Sequence, residues 1–231
     1  MLRRLAILPM LTTLLLAACS SAGTATADQP TLAAEPPTSA PTAATGPQAG
    51  SGGAMYQLDP AKTTASFTIN EILLGQPNTV VGTTRDVKGS FSLDLGDPAG
   101  AEYGPVEINA DSFVTDDDRR NGAIRRFILQ TNNPDNATVT FQPISVDGLP
   151  SSAEVGTDYE VSVTGDLTLH GITQSVTFQG QVSVASADEV QGSLSASVPR
   201  ADFDLNIPSV PSVADVQETV LLKLDFVASR S

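Results

Sequence analysis

The 231-residue chain carries 12 basic and 26 acidic residues, for a net charge of −14, and a single cysteine. Its acidity argues against nucleic acid or anionic lipid headgroups as partners of the folded surface. One cysteine permits neither a disulfide framework nor a thiolate metal site.

Residues 1–18 have a basic start, an apolar run and small residues before Cys19, which is the pattern of a secretory signal peptide. The apolar run is too short to be read as a membrane span. Leu16-Ala17-Ala18-Cys19 resembles a bacterial lipobox, in which Cys19 is lipidated on sulfur and becomes the mature N-terminus. An ordinary cleaved signal with an incidental cysteine is the alternative. The implied location is the extracytoplasmic cell envelope, held by a lipid anchor. Ser20 after Cys19 favours an outer membrane if the cell has two, and otherwise the outer face of the cytoplasmic membrane. Residues 20–54 are almost wholly Ala, Thr, Ser, Pro and Gly, with Asp28 and Glu35 the only charges. Such a composition cannot bury enough apolar surface to offset its ordering entropy, so 19–54 is expected to be a lipidated cysteine and a disordered tether. Arg3 and Arg4 cancel Asp28 and Glu35, so the net charge belongs to residues 55–231, a single domain's length.

Within that domain, period-two alternation dominates. Ala65, Phe67 and Ile69 alternate with polar residues, as do Phe91, Leu93 and Leu95, and then Val106, Ile108 and Ala110. Further strands are predicted over 138–146, 159–169, 176–185, 190–198 and 219–227, with Val220, Leu222, Leu224 and Phe226 on one face of the last. Turn signals fall at Gly96-Asp97-Pro98, Gly148-Leu149-Pro150, Gly165, Gly180 and Gly192. Gly165 and Gly192 lie inside apparent strands, where glycine often marks a bulge or bend. Eight or nine one-sided strands without intervening helices indicate an all-β fold, an antiparallel sheet closed as a barrel or packed as a sandwich. One stretch differs. Thr115 followed by Asp118 fits a capping box, and Ile124, Phe127 and Ile128 recur at helical spacing, so a short helix is predicted over 116–129.

Gly165-Asp166-Leu167-Thr168-Leu169-His170-Gly171 and its sequel to Phe178 read as a hairpin. It can close tightly on His170-Gly171 or over the longer loop 170–175. The longer loop, which pairs Leu169 with Val176 and Leu167 with Phe178, is preferred. Both closures put the same residues on the apolar face.

His170 is the only histidine. A metal site built on it would need several carboxylates at ligand spacing, and a hydrolase triad would need a nucleophile motif that the serines lack. It is therefore read as hydrogen-bonding its own turn, and no catalytic or metal residue is assigned. Asp116, Asp117 and Asp118 are read as capping and solvated. Arg119, Arg120, Arg125 and Arg126 are four of the domain's ten basic residues (12 less Arg3 and Arg4) within eight positions. They are either a solvated face paired with the aspartates or a local positive patch that meets a polar or anionic headgroup.

In order along the chain, Tyr56-Gln57-Leu58-Asp59-Pro60, Ala65 to Ile69, Gly82, Gly89 to Asp94, Asp118 to Asn121 with Ile124-Arg125, Pro134, Phe141, Gly165 to Thr173 and Ala201-Asp202-Phe203 resemble the YceI-like family. No single motif suffices, but the ordered set is specific and covers most of 56–227. The resemblance implies an eight-stranded antiparallel lipocalin-like barrel with one helix. It also implies a non-enzymatic function, binding a polyisoprenoid, isoprenoid quinone or similar amphiphilic lipid in an apolar tunnel, with no cofactor beyond that lipid. Where family members often have histidine near the end of the first long strand this chain has Glu71, followed by an insertion-like turn at Gly75 to Asn78. The headgroup preference can therefore differ here. Phe67, Ile69, Phe91, Leu93, Phe127, Phe141, Leu167, Leu169, Phe178, Leu222 and Leu224 are expected to face inward as core or ligand wall. Membrane contact is expected through the anchor alone, and the oligomeric state is left open. A module whose barrel is filled by its own side chains and acts through its surface is the competing expectation. A hydrolase using His170 is a third.

Overall fold

The computed structural model describes residues 53–231. The signal segment, Cys19 and the tether up to residue 52 lie outside the described residues, and Ala54 already belongs to a strand. The alternating segments become β1 (Ala54–Leu58), β2 (Thr64–Leu73), β3 (Gln76–Thr84), β4 (Val87–Lys88), β5 (Ser90–Leu93), β6 (Glu102–Tyr103) and β7 (Val106–Asn109). After the helix α1 (Asp118–Ala123) come β8 (Thr138–Asp147), β9 (Asp158–Leu169), β10 (Ile172–Ser186), β11 (Glu189–Pro199), β12 (Val213–Ala214) and β13 (Thr219–Arg230).

All the strand pairs are antiparallel, running β7-β8-β9-β10-β11-β13. The far edge of β13 is shared: Leu221–Asp225 pair with β2, and Ala228–Arg230 pair with β1. Between β1 and β2 the chain turns on Asp59, whose carboxylate accepts from the Ala61 amide at 2.8 Å. The fully buried Thr63 hydroxyl donates to the Val227 carbonyl at 3.3 Å. Next, β2 pairs with β3 and β1 with β5. The stretch 76–93 carries β3, β4 and β5 in succession, and β4 pairs with β7 at the other end of the path. The sheet thereby curls back on itself as a lipocalin-like half-barrel. The expected count of eight is not literal, because the turn at Asp59 and the breaks within 76–93 divide the sheet into thirteen segments.

Several local expectations are corrected. The turn after β2 is Leu74-Gly75, both in the left-handed region (φ 50° and 79°), and Gln76 already pairs with Leu73. Residues 76–78 are thus strand, not an inserted turn. Gly165, Gly180 and Gly192 lie within β9, β10 and β11 and do not separate strands. The irregularity near Gly165 falls on its partner β8, between Pro143 and Ser145, since proline has no amide to give the ladder. The helix is also shorter than predicted. Asp117, not Thr115, caps it, accepting from the Arg120 amide at 2.9 Å. Thr115 instead donates to the buried Asn121 side chain at 2.8 Å. From Ile124 to Ile128 the helix widens to π geometry, with the Leu129 amide reaching back to the Ile124 carbonyl at 2.8 Å.

The inner face is not uniform along the barrel. At the end holding the β10–β11 turn, Tyr56, Val190 and Ala228 form a tight cluster with Phe91, Leu93 and Phe226. Tyr56 stacks on Phe91 with ring centroids 5.4 Å apart, and its hydroxyl donates to the Ala187 carbonyl at 2.7 Å. At the end holding the β9–β10 turn and α1, the inner face surrounds a cavity.

Candidate functional site: an apolar cavity with a polar rim

The cavity has a volume of about 650 Å³, within the range of small-molecule sites. Alternation places its wall. β2 contributes Phe67 and Ile69, β8 Phe141, β9 Leu167 and Leu169, β10 Phe178, and β13 Leu222 and Leu224. Phe141 and Phe178 meet edge-to-face at 4.9 Å, and Phe67 leans on Phe113 at 5.5 Å. Phe127, from the π-helical turn, lines the cavity while remaining 59 % exposed, so it stands at the opening. Such a wall offers burial chiefly to apolar carbon.

Polar groups gather at the rim. Glu71, at the end of β2, lines the cavity with its side chain only 10 % exposed. It accepts from the Asn78 amide nitrogen at 3.0 Å, and Arg120 Nη2 lies 3.8 Å away. Arg120 also pairs with Asp116 one helical turn back. Arg119 and Asp117 line the same rim. Backbone amides at the start of α1, that of Arg120 foremost, hold the exposed Asp117 carboxyl below its ordinary pKa against some desolvation, and the Arg120 and Arg119 charges act in the same direction. Across the opening, Arg200 donates to Glu218 at 2.6 Å and to the Leu205 carbonyl at 3.2 Å.

The sole histidine stands outside this constellation. His170 and Gly171 (φ 55° and 73°) form a two-residue turn, so Leu169 pairs with Ile172 and Val163 with Phe178. The preferred longer loop is thus replaced by the tight one, whose left-handed residues match the strands' twist. The facing of the apolar residues is unchanged. The ring bonds not its own turn but the segment that follows β11, with Nδ1 3.2 Å from the Phe203 carbonyl. Nε2 is buried without a partner.

Of the residues expected to face inward, Phe67, Ile69, Phe127, Phe141, Leu167, Leu169, Phe178, Leu222 and Leu224 line the cavity. Phe91 and Leu93 do not. They pack at the filled end against Tyr56. Of the four arginines, Arg119 and Arg120 line the rim, whereas Arg125 lies 4.0 Å from Asp111 and Arg126 is exposed off the cavity. Sequence reasoning missed Arg200 and the segment between β11 and β13, of which Leu205, Ile207, Val210, Val213 and Val216 line the cavity. That segment has no strand periodicity. Its signal is charge, because residues 205–214 contain none in a strongly acidic chain.

The model of the YceI-like domain matches residues 56–228. Protein YceI of Shigella flexneri is 32% identical over 112 residues, 48% of this chain and 52% of the relative. A Pseudomonas aeruginosa relative is 28% identical over 144 residues, 59% of this chain and 69% of its own. The chain spans about half the length of the first of these curated relatives. Among solved structures, a polyisoprenoid binding domain from Saccharophagus degradans superposes with a TM-score of 0.60 at 19% identity, covering 76% of this chain and 98% of the other. BcnA from Burkholderia cenocepacia gives 0.56 at 20% identity, covering 74% and 99%. At these identities the structural likeness speaks to fold.

Proposed function

The chain belongs to the YceI-like family, and on that premise we propose that it is a binding protein for an amphiphilic lipid of the cell envelope, a polyisoprenoid, an isoprenoid quinone or a similar molecule. The observation that carries this reading is a cavity of about 650 Å³ lined mostly by apolar side chains, with Glu71, Asp117, Arg119 and Arg120 grouped at its rim. A hydrocarbon chain lies against Phe67, Phe141, Leu167 and Leu222, and the headgroup stays among Glu71, Arg119 and Arg120. Each buried methylene contributes about 0.8 kcal/mol, so several isoprene units offset the cost of association. The Saccharophagus domain, described as polyisoprenoid binding, supports the ligand class by analogy. The self-filled barrel fits only the end occupied by Tyr56 and Phe91. The reading is of binding rather than catalysis, since His170 does not line the cavity. Cys19 acylation and a tether would hold the domain at the membrane, with the location set by the cell's membranes as above.

The test is to express the full chain, isolate it from envelope extracts, and analyse an organic extract of the purified protein by mass spectrometry. A reproducible stoichiometric lipid supports the reading. Empty protein that also takes up no added short-chain quinone or polyprenol overturns it.

A further inference from the structure

Of the eight large apolar side chains exposed among the described residues, three stand together around the cavity opening. Leu74, at the tip of the β2–β3 turn, is 79 % exposed, and Val210 is 43 % exposed. With Phe127 they flank the cavity opening: Phe127 and Val210 line it, and Leu74 follows the lining Leu73 and donates its amide to the lining Ser212 at 2.8 Å. These side chains come from three separate elements, so chance exposure along one strand does not produce the grouping. The intervening surface is Pro208-Ser209-Val210-Pro211-Ser212, all exposed and uncharged. The helix side adds the exposed Arg119, beside the exposed Asp116, Asp117 and Asp118, so charge of both signs borders the apolar rim there. The opposite end of the barrel, at the β10–β11 turn, carries Asp188 and Glu189.

We propose that this rim is a membrane-docking surface: Leu74, Phe127 and Val210 enter the interface of a bilayer so that the cavity opens directly onto the acyl region. Exposed apolar side chains around an uncharged surface fit the interface of a bilayer better than they fit water. A lipid chain then passes between bilayer and cavity without crossing water. Contact of the protein surface with the membrane replaces the expectation of contact through an anchor alone. The inference rests on the lipid-binding reading for its purpose but not for its test.

The full chain carrying Cys19→Ser, which leaves an introduced cysteine as the only thiol, is labelled with an environment-sensitive fluorophore at Leu74→Cys or, at the opposite end, Val155→Cys. Val155 bridges to Val184 and is itself exposed. Vesicles are phosphatidylcholine, with or without phosphatidylglycerol, and carry a spin label on the acyl chains. Docking predicts a blue shift and quenching at position 74 and neither at 155. Equal quenching at both, or none at either, overturns the proposal, as does a blue shift at 74 that appears with protein concentration alone, which would mean that a second copy covers the rim. Leu74→Asp, tolerable at its left-handed backbone, should lower rim insertion, read from a label at Ser209→Cys on the same rim, by about tenfold, the equivalent of losing one buried leucine. Leu74 does not line the cavity, so affinity for a water-soluble short-chain quinone should be unchanged by it. Loss of vesicle insertion with retained quinone binding ties the rim to docking. Absence of quinone binding with intact rim insertion would remove the lipid-carrier reading and leave the docking surface standing.

Discussion

Two glycines against the cavity wall separate backbone constraint from side-chain packing. A Cβ added at Gly165 would lie 2.3 Å from the Gln142 carbonyl oxygen and 2.8 Å from Phe141 Cζ. The oxygen is backbone of β8, held beside the irregularity at Pro143–Ser145, and can retreat only by opening the β8–β9 ladder. At Gly82 the added Cβ would meet only the Phe67 ring, at 2.2 Å, and that ring can swing. Alanine in place of glycine also removes about 0.4–1 kcal/mol of unfolded-chain entropy, which favours the variant in both cases. Overpacking that shifts backbone costs about 3 kcal/mol, the upper part of the usual range, so Gly165→Ala is expected to lose about 2 kcal/mol or more net. For a domain of this size that is a fall in Tm of roughly 4–8 °C. Gly82→Ala should stay within about 1 kcal/mol of the parent, yet lose lipid affinity because the displaced Phe67 ring enters the cavity. Calorimetry together with titration of a fluorescent polyene measures both quantities. A Gly165→Ala protein that melts with the parent, or a Gly82→Ala protein with the larger loss of stability, would refute the reasoning.

Other outcomes follow from the same geometry. Leu167 is 3 % exposed on the cavity wall, so Leu167→Ala should cost about 2–5 kcal/mol in a urea titration. Because the folded-state pKa of Asp117 is depressed, chiefly by the Arg120 amide, its contribution is present above the ordinary aspartate value of about 4 and is lost as pH falls through the depressed one. The protection factors of the α1 amides, exchange rates taken against the intrinsic rate at the same pH, should therefore fall on acidification, and Asp117→Asn, which keeps a capping oxygen, should flatten that dependence. His170→Asn tolerates the left-handed turn and loses the bond to Phe203, so about 0.5–1.5 kcal/mol is expected with unchanged lipid affinity. His170→Ala should be worse by roughly 1–2 kcal/mol from backbone strain alone, measured by the same denaturation.

The sheet was legible because one-sided burial writes itself into sequence at period two. Leu167, Leu169, Leu222 and Leu224 could be assigned a face before their partners were known. What alternation cannot encode is position along the barrel axis. Phe91 and Phe67 carry the same pattern, yet Phe91 stacks on Tyr56 at the filled end while Phe67 lines the cavity. Register was also underdetermined at the β9–β10 turn, because either closure kept the facing, and the choice fell to turn twist at His170-Gly171. The helix boundary moved because three consecutive aspartates can each cap, and only the packing of Asn121 against Thr115 selects Asp117.

Charge carries what periodicity omits. A barrel filled at both ends would gain burial throughout and bind nothing, so a carrier has to leave one end unfilled and still keep it folded in water. Here Tyr56, Phe91, Val190 and Ala228 close one end with aromatic and small residues. The other is spanned by a helix that widens at Ile124 and by an uncharged crossing segment through Val210. Around that opening Glu71 engages Arg120 and Arg200 engages Glu218, while Arg119 stands exposed. An anionic headgroup at Arg120 or Arg200 must therefore compete with carboxylates already in place. On the proposed lipid-binding reading a neutral hydrogen-bonding headgroup meets no such competition, so a quinone or polyprenol is expected to bind more tightly than a phosphorylated counterpart, which competitive titration of the two measures.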